Sequence, residues 1–254
     1  MHIATAILTD EERAMYEWQM WTPGFGIEGQ VKLKSATALI SRCGGLGGPL
    51  AYSLAAAGIG RLVIAHAGNV RQSDLNRQIL MTHAWLGKPR IESIVNRLRE
   101  FNPHLEIEGI AENIHEGNAE ELAAKADIVF DCAPLFSERF LMNRECVHQG
   151  KPMVEAAMFG TEGQVTTILP GTTPCLACIY PETPPAWKRE FPVIGAVSAL
   201  AAQVAALEGI KLITGQGEPL AGTLLYFDTL RMRFERIPLV RRPECPVCGT
   251  MRGE

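Results

Sequence analysis

Between residues 36 and 58 the sequence runs from a short apolar stretch, Ala36-Thr37-Ala38-Leu39-Ile40-Ser41, into Cys43-Gly44-Gly45-Leu46-Gly47-Gly48. A second apolar stretch follows, opened by Pro49 and closed by Gly58. The first stretch has the length and β-branched content of a buried strand. The second has proline in its opening turn and glycine at its end, the usual punctuation of a helix. Strand, glycine turn and helix together open a nucleotide-binding α/β fold, in which free amides at the helix N-terminus hold an anion.

Composition narrows the setting. A chain of 254 residues, 47% hydrophobic, buries one sizeable core and suits one α/β domain with appendages. A formal net charge of -4 leaves no basic footprint for nucleic acid. The first eight residues have no basic region and lead into Thr9-Asp10-Glu11-Glu12, which argues against a signal peptide. The apolar segment 193–214 carries Ser198, Gln203, Glu208 and Lys211, so it reads as a core helix and not a membrane span. Seven cysteines without an export signal fit a reducing cytoplasm.

Thr9 and Glu12 form a capping box, which predicts a helix over 10–20, a loop over 21–28 and a short helical lead over 30–34. Strands are expected at 61–65, 105–110, 127–131 and 153–157, with helices at 91–101, 119–125 and 137–149 between them. Segment 67–86 is irregular and polar at first. Segments 163–169, 222–228 and 232–237 alternate like meander strands, which gives a Rossmann-like mixed sheet, its parallel core extended by antiparallel strands and flanked by helices. The single domain divides into a helical arm (1–34), a nucleotide-binding-type half (35–157) and a half with the meander and a crossover loop (158–254). Residues 180–192, rich in proline, read as that mobile crossover loop, with Lys188 and Arg189 at its tip.

Two C-x-x-C pairs, Cys175/Cys178 and Cys245/Cys248, together close a tetrahedral thiolate shell, the pattern of a structural zinc. Accidental pairs and redox thiols are the other readings. Cys43, Cys132 and Cys146 lack spaced partners; Cys132 and Cys146 read as small core residues.

With these pieces placed, the chain resembles the ThiF/MoeB/HesA family, relatives of the ubiquitin-activating enzymes. The resemblance rests on the glycine turn, on Ser73-Asp74-Leu75-Asn76-Arg77-Gln78 against the family's S-N-L-N-R-Q, on Gly87-Lys88-Pro89-Arg90 against its G-K-P-K, and on the paired cysteines. It implies ATP and magnesium as cofactors, a homodimer, and adenylation of the C-terminal glycine of a ubiquitin-like sulfur carrier. By the same resemblance Gly44, Gly45, Gly47, Arg77, Gln78 and Lys88 fall at nucleotide-binding positions.

Several aligned positions depart from the family. Arg42 stands at the first glycine of G-x-G-G-x-G. His66 stands where nucleotide-binding folds place an acid about 20 residues past the glycines to hold ribose hydroxyls, and Gly68 replaces a second Asp. Asp74 replaces an Asn and puts negative charge where phosphates approach. Arg90 replaces a Lys, keeping charge but not point-donor geometry. Pro134 replaces the magnesium-binding Asp, and Trp18 replaces an arginine reached across the dimer. Trp18 itself reads as packing.

Three functions compete. One is an adenylating enzyme with substitute ligands, Asp131 among the candidates for magnesium. Another is a non-catalytic relative that keeps dimer and carrier surfaces while ATP chemistry is lost or altered. The third is a pocket repurposed for an anionic ligand gathered by Arg42, His66, Arg77 and Arg90. His66 also reads as a plain surface imidazole.

Overall fold

The computed structural model describes residues 7–182, 184 and 191–249. Trp187, Lys188 and Arg189 of the crossover loop lie outside them. The strands are β1 (Thr37–Ile40), β2 (Arg61–Ala65), β3 (Glu106–Ile110), β4 (Ile128–Asp131), β5 (Met153–Phe159), β6 (Glu162–Ile168), β7 (Thr223–Asp228) and β8 (Arg233–Pro238). They form one sheet in the order β3-β2-β1-β4-β5-β6-β7-β8. The first five run parallel. From β5 to β8 every pairing is antiparallel, so the mixed sheet expected from sequence is the one observed.

Alternation within the central strands explains why they read as unbroken apolar runs. Ala38, Ile40, Leu62, Ile64, Ile128 and Phe130 face one layer. Leu39, Val63, Ala65 and Val129 face the other. A strand covered on both faces has no polar side to show. The first layer contains α4 (Gly47–Ala57), α5 (Arg90–Phe101) and α9 (Gly195–Thr214). The second contains α6 (Ala119–Ala124), α7 (Phe136–Gln149) and α8 (Leu176–Ile179). Among the described residues α9 is the one helix long and apolar enough to cross a membrane. It packs on α4, β5 and β6, and at Gly209 a Cβ would lie 2.2 Å from the Phe130 ring, so one face of it belongs to the core.

The N-terminal arm differs from expectation. The Thr9–Glu12 capping box is present, but the helix breaks at Tyr16 into α1 (Asp10–Met15) and α2 (Glu17–Met20). Tyr16 is buried, and its hydroxyl accepts from Asn102 Nδ2 at 2.9 Å. This tertiary contact outweighs local propensity. The expected loop over 21–28 is too long: α3 (Gly26–Ser35) begins at a glycine of positive φ. Gly29 lies against the Phe25 ring, where a Cβ would sit 3.1 Å from it. Of the glycines that signal the loop, Gly24 and Gly26 both have positive φ, and Gly26 opens the helix. Trp18 is 79% exposed and stacks loosely on Trp21, so it is not part of the core.

The glycine turn has strict and permissive positions. A Cβ at Gly47 would lie 1.9 Å from the Arg42 carbonyl oxygen, whereas one at Gly44 would meet nothing closer than 3.6 Å. Gly47→Ala is therefore expected to lower unfolding stability by at least about 3 kcal/mol in urea titrations, and Gly44→Ala by about 1 kcal/mol or less.

Candidate functional site

Strand order reverses between β1 and β4, since β1 leads outward through β2 and β3 while β4 leads to β5. Open α/β sheets form their ligand crevice at the carboxyl ends of strands at such a point. A cavity of about 390 Å³ lies there. Arg42, Gly44 and Gly45 reach it from the end of β1, His66 from the end of β2, and Cys132 and Pro134 from the end of β4. The segment between β2 and α5 closes another side with Arg71, Asp74, Arg77, Gln78 and Arg90. Of the residues expected in the pocket, Lys88 is absent: it is exposed, its ammonium 5.3 Å from the Trp85 ring centre. Gly47 supports the turn from beneath.

Five arginines and a single carboxylate, Asp74, line this cavity. Arg42 is held by Glu138 of α7 through two parallel hydrogen bonds of 2.6 Å, from Nε and Nη2. Its charge is thus neutralised by a fork geometry of the strong kind. Arg90 donates to Asp74 Oδ2 from Nε at 3.0 Å and from Nη2 at 2.7 Å. The same carboxylate accepts from the Arg71 amide and from Gln78 Nε2, both at 2.9 Å. Asp74 is buried, so the charge expected to oppose phosphates is already satisfied by its neighbours.

Arg77 and Arg71 are less committed. The Arg77 stem lies over Gly45, where a Cβ would be 2.9 Å from its Cγ. Its guanidinium donates to the Ser73 carbonyl and the Asn76 side chain, and it is 3.8 Å from Asp74. Arg71 is exposed and forms no ion pair among the described residues. These two are the lining arginines whose charge is least neutralised by a neighbouring carboxylate.

His66 is 4% exposed, so the surface reading does not hold. Its Nδ1 accepts from the Cys43 backbone N–H at 2.9 Å. Burial, with Arg42 and Arg90 adding repulsion, pulls its pKa down to about 3. It is a neutral imidazole fastened to the glycine turn, unable to replace an acid as a hydroxyl acceptor at that nitrogen.

Asp131 does not reach the cavity. It is fully buried and accepts from Arg139 Nη1 at 3.0 Å and the Ala133 amide at 3.2 Å. Arg139 Nη1 also donates to Glu155 Oε1 at 2.8 Å, so two buried carboxylates share one guanidinium. Burial pushes Glu155 up to about 7 against the pull of Arg139. Magnesium prefers one or two carboxylates. Pro134 lines the cavity without offering a carboxylate, and Asp74 is fully engaged.

The four paired cysteines converge on the opposite layer. Their sulfurs lie within 4.8 Å of one another, with Cys175–Cys245 at 3.6 Å and Cys178–Cys248 at 3.4 Å. A tetrahedron with Zn–S bonds of about 2.3 Å has edges of about 3.8 Å, so the cluster fits a metal with little movement. The tail from β8 is thereby brought back to α8. Sequence reading located these ligands but not the short helix that carries Cys178.

The ThiF family profile matches residues 16–247. The chain belongs to the ThiF family. It is 49% identical to the heterocyst protein HesA of Trichormus variabilis over 242 residues, covering 95% of this chain and 91% of that one. It is 39% identical to the adenylyltransferase and sulfurtransferase MOCS3 of Sus scrofa, covering 96% of this chain and 55% of that protein, so it spans about half of MOCS3. Among solved structures, E. coli MccB with ATP shares 27% identity at a TM-score of 0.75, covering 88% of this chain and 69% of that one. Against this ThiF background, three cavity features escaped sequence reading: Glu138 as the partner of Arg42, and Arg71 and Arg139 as lining residues. Only Arg71, adjacent to the Ser73–Gln78 motif, had a local signal.

Proposed function

We propose that this chain is a diverged ThiF-type protein that holds an anionic ligand, a phosphate or carboxylate compound, in the arginine-lined cavity, with the family's magnesium-dependent adenylation lost or altered. Gly44 and Gly45 form the floor of that site, Gly47 its support, and Arg42, His66, Arg77, Gln78 and Arg90 its walls. The observation that carries the reading is the state of the carboxylates. Asp74 is saturated by Arg90, Gln78 and the Arg71 amide, Asp131 is locked under Arg139, and Pro134 offers no carboxylate. Nucleotidyl transfer depends on metal and cations that neutralise charge in the transition state. Here the cations are present and no ligand for the metal is free among the lining residues. The expected result is no ATP–pyrophosphate exchange above background with magnesium, with and without a ubiquitin-like carrier.

A second reading, ATP-dependent adenylation of a carrier C-terminus or small carboxylate through rearranged ligands, is favoured by the similarity to MOCS3 and to MccB with ATP. Exchange activity that depends on magnesium would select it.

The cysteine cluster is assigned to a structural zinc, because a shell closed by four thiolates leaves no open position for chemistry. A homodimer is the proposed assembly. Strand β8 is exposed along nearly its whole length, with Phe234 and Ile237 uncovered, and Leu207 of α9 is also exposed. Exposed apolar side chains on an otherwise charged edge strand, which carries Arg233, Glu235 and Arg236, mark a surface that an assembly can cover. Light scattering is expected to give twice the 27.8 kDa chain mass, and a monomer at micromolar concentration would contradict it.

A further inference from the structure

Two polar atoms in the cavity walls have no partner among the described residues. Gln78 is only 7% exposed, and its amide can face one way only. Its Nε2 donates to Asp74 Oδ1 at 2.9 Å, where the amide oxygen would meet a second acceptor. Gln78 Oε1 is thereby left buried with no donor. A buried acceptor without a donor is rare in native interiors, and in a cavity wall it points to what the cavity takes in. His66 carries the complementary atom. Its Nδ1 accepts from the Cys43 amide, so the one proton of the neutral ring sits on Nε2, which meets no acceptor among the described residues.

The two side chains border one gap above Gly44. A Cβ there would stand 3.6 Å from His66 Cε1 and 3.8 Å from Gln78 Cδ, so the glycine keeps the gap open. A donor and an acceptor around so small a space fit a group that is both. A hydroxyl is the smallest: its oxygen accepts from His66 Nε2 while its hydrogen goes to Gln78 Oε1. A carboxylate or a phosphate dianion has no hydrogen to give, so the anionic group does not satisfy Gln78 by itself. The Arg77 stem lies over Gly45, the next residue, which puts a cation beside the gap.

We propose that the gap above Gly44 is a hydroxyl subsite, and that the cavity takes an anion bearing an alcohol group on a short carbon chain, a hydroxyalkyl phosphate or a hydroxy acid. The charge lies by Arg71 and Arg77, and the hydroxyl lies between His66 and Gln78. This rests on the anion-binding reading above and names the ligand class for it.

Calorimetric titration of the zinc-replete protein, without added magnesium, tests it with two matched pairs: glycerol 3-phosphate against propyl phosphate, and glycerate against propionate. The pair that binds identifies the anionic group. Within it the hydroxylated member is expected to bind at least about tenfold more tightly, the scale of one buried hydrogen bond. Gln78→Met removes the orphan oxygen and is expected to bring the ratio to about one while the unhydroxylated member binds as before. Gly44→Ala, a mild change for stability, puts a methyl group into the gap and is expected to lower the ratio severalfold. If Gln78→Met loses both members of the pair, Gly44→Ala decides in its place. Equal affinity within both pairs in the wild type overturns the hydroxyl subsite and leaves the anion site standing. A ratio undiminished in the deciding variant places the hydroxyl elsewhere and overturns it too. No binding of any of the four compounds overturns the anion-binding reading and this proposal together.

Discussion

Arg139→Met is expected to destabilise the protein by about 3–5 kcal/mol at pH 8, because it strands Asp131 and Glu155 without a counter-ion in the core. Both carboxylates are essentially inaccessible, and each takes a hydrogen bond from the same guanidinium nitrogen, at 3.0 and 2.8 Å. The network holds two acids against one base, so burial works against the second charge. Glu155 is accordingly raised from 4.5 to about 7, burial being the main cause and Arg139 the main opposition. Folded Glu155 binds its proton more tightly than unfolded Glu155. Its contribution to stability is therefore complete below about pH 4.5 and declines as pH rises through 7. The loss in Arg139→Met should accordingly be larger at pH 8 than at pH 5. Glu155→Gln keeps the shape and removes the excess charge. It is expected to flatten the wild-type stability profile between pH 5 and 8, and to recover part of the loss when combined with Arg139→Met. Urea midpoints measured across that range check both. A pH-independent loss would show that packing of the guanidinium, and not its charge, is what matters.

Removal of the proposed zinc should have an effect of similar size. The cluster joins Cys175, the N-cap of α8, and Cys178 within that helix to Cys245 and Cys248 beyond β8. Among the described residues the tail is also tied to the body by Arg241 Nη1 donating to the Gly171 carbonyl at 3.0 Å and by the Arg242 amide donating to Cys178 Sγ at 3.5 Å. Four thiols forced together without an ion gain only weak S–H contacts, while thiolates on zinc gain bond energy that is folding energy. Cys245→Ser, or dialysis against a strong chelator, is expected to lower the thermal midpoint by about 10 °C, equivalent to about 3–4 kcal/mol at this size. One zinc per chain should be lost in elemental analysis. A chain that melts unchanged after losing its metal would show that the tail is held by packing alone.

The fold was legible where one physical cause dominated. The central strands declared themselves because they are covered on both faces, and the turn because Gly47 tolerates no side chain. The cysteine cluster was legible because thiolate spacing is a chemical requirement rather than a propensity. The arm differs from expectation where α3 begins inside the glycine-bearing segment, at Gly26, and where Tyr16 follows a contact 86 residues away. The cavity was half legible. Arg42, His66, Arg77, Gln78 and Arg90 do converge, but their partners decide what they can do. That Glu138 neutralises Arg42, that Arg90 neutralises Asp74, and that His66 is buried neutral are long-range facts with no local pattern. Lys88 failed as a site residue for the opposite reason: its motif position is shared with the family while its side chain turns to Trp85.

The most direct test of the central claim is calorimetric titration of zinc-replete protein with ATP, in the presence and absence of magnesium. A cavity with more arginines than carboxylates should bind the phosphates equally well or better without the metal, since magnesium would mask the charge that Arg71 and Arg77 attract. ATP affinity strengthened tenfold or more by magnesium would contradict the claim and establish that another ligand set has replaced the missing one.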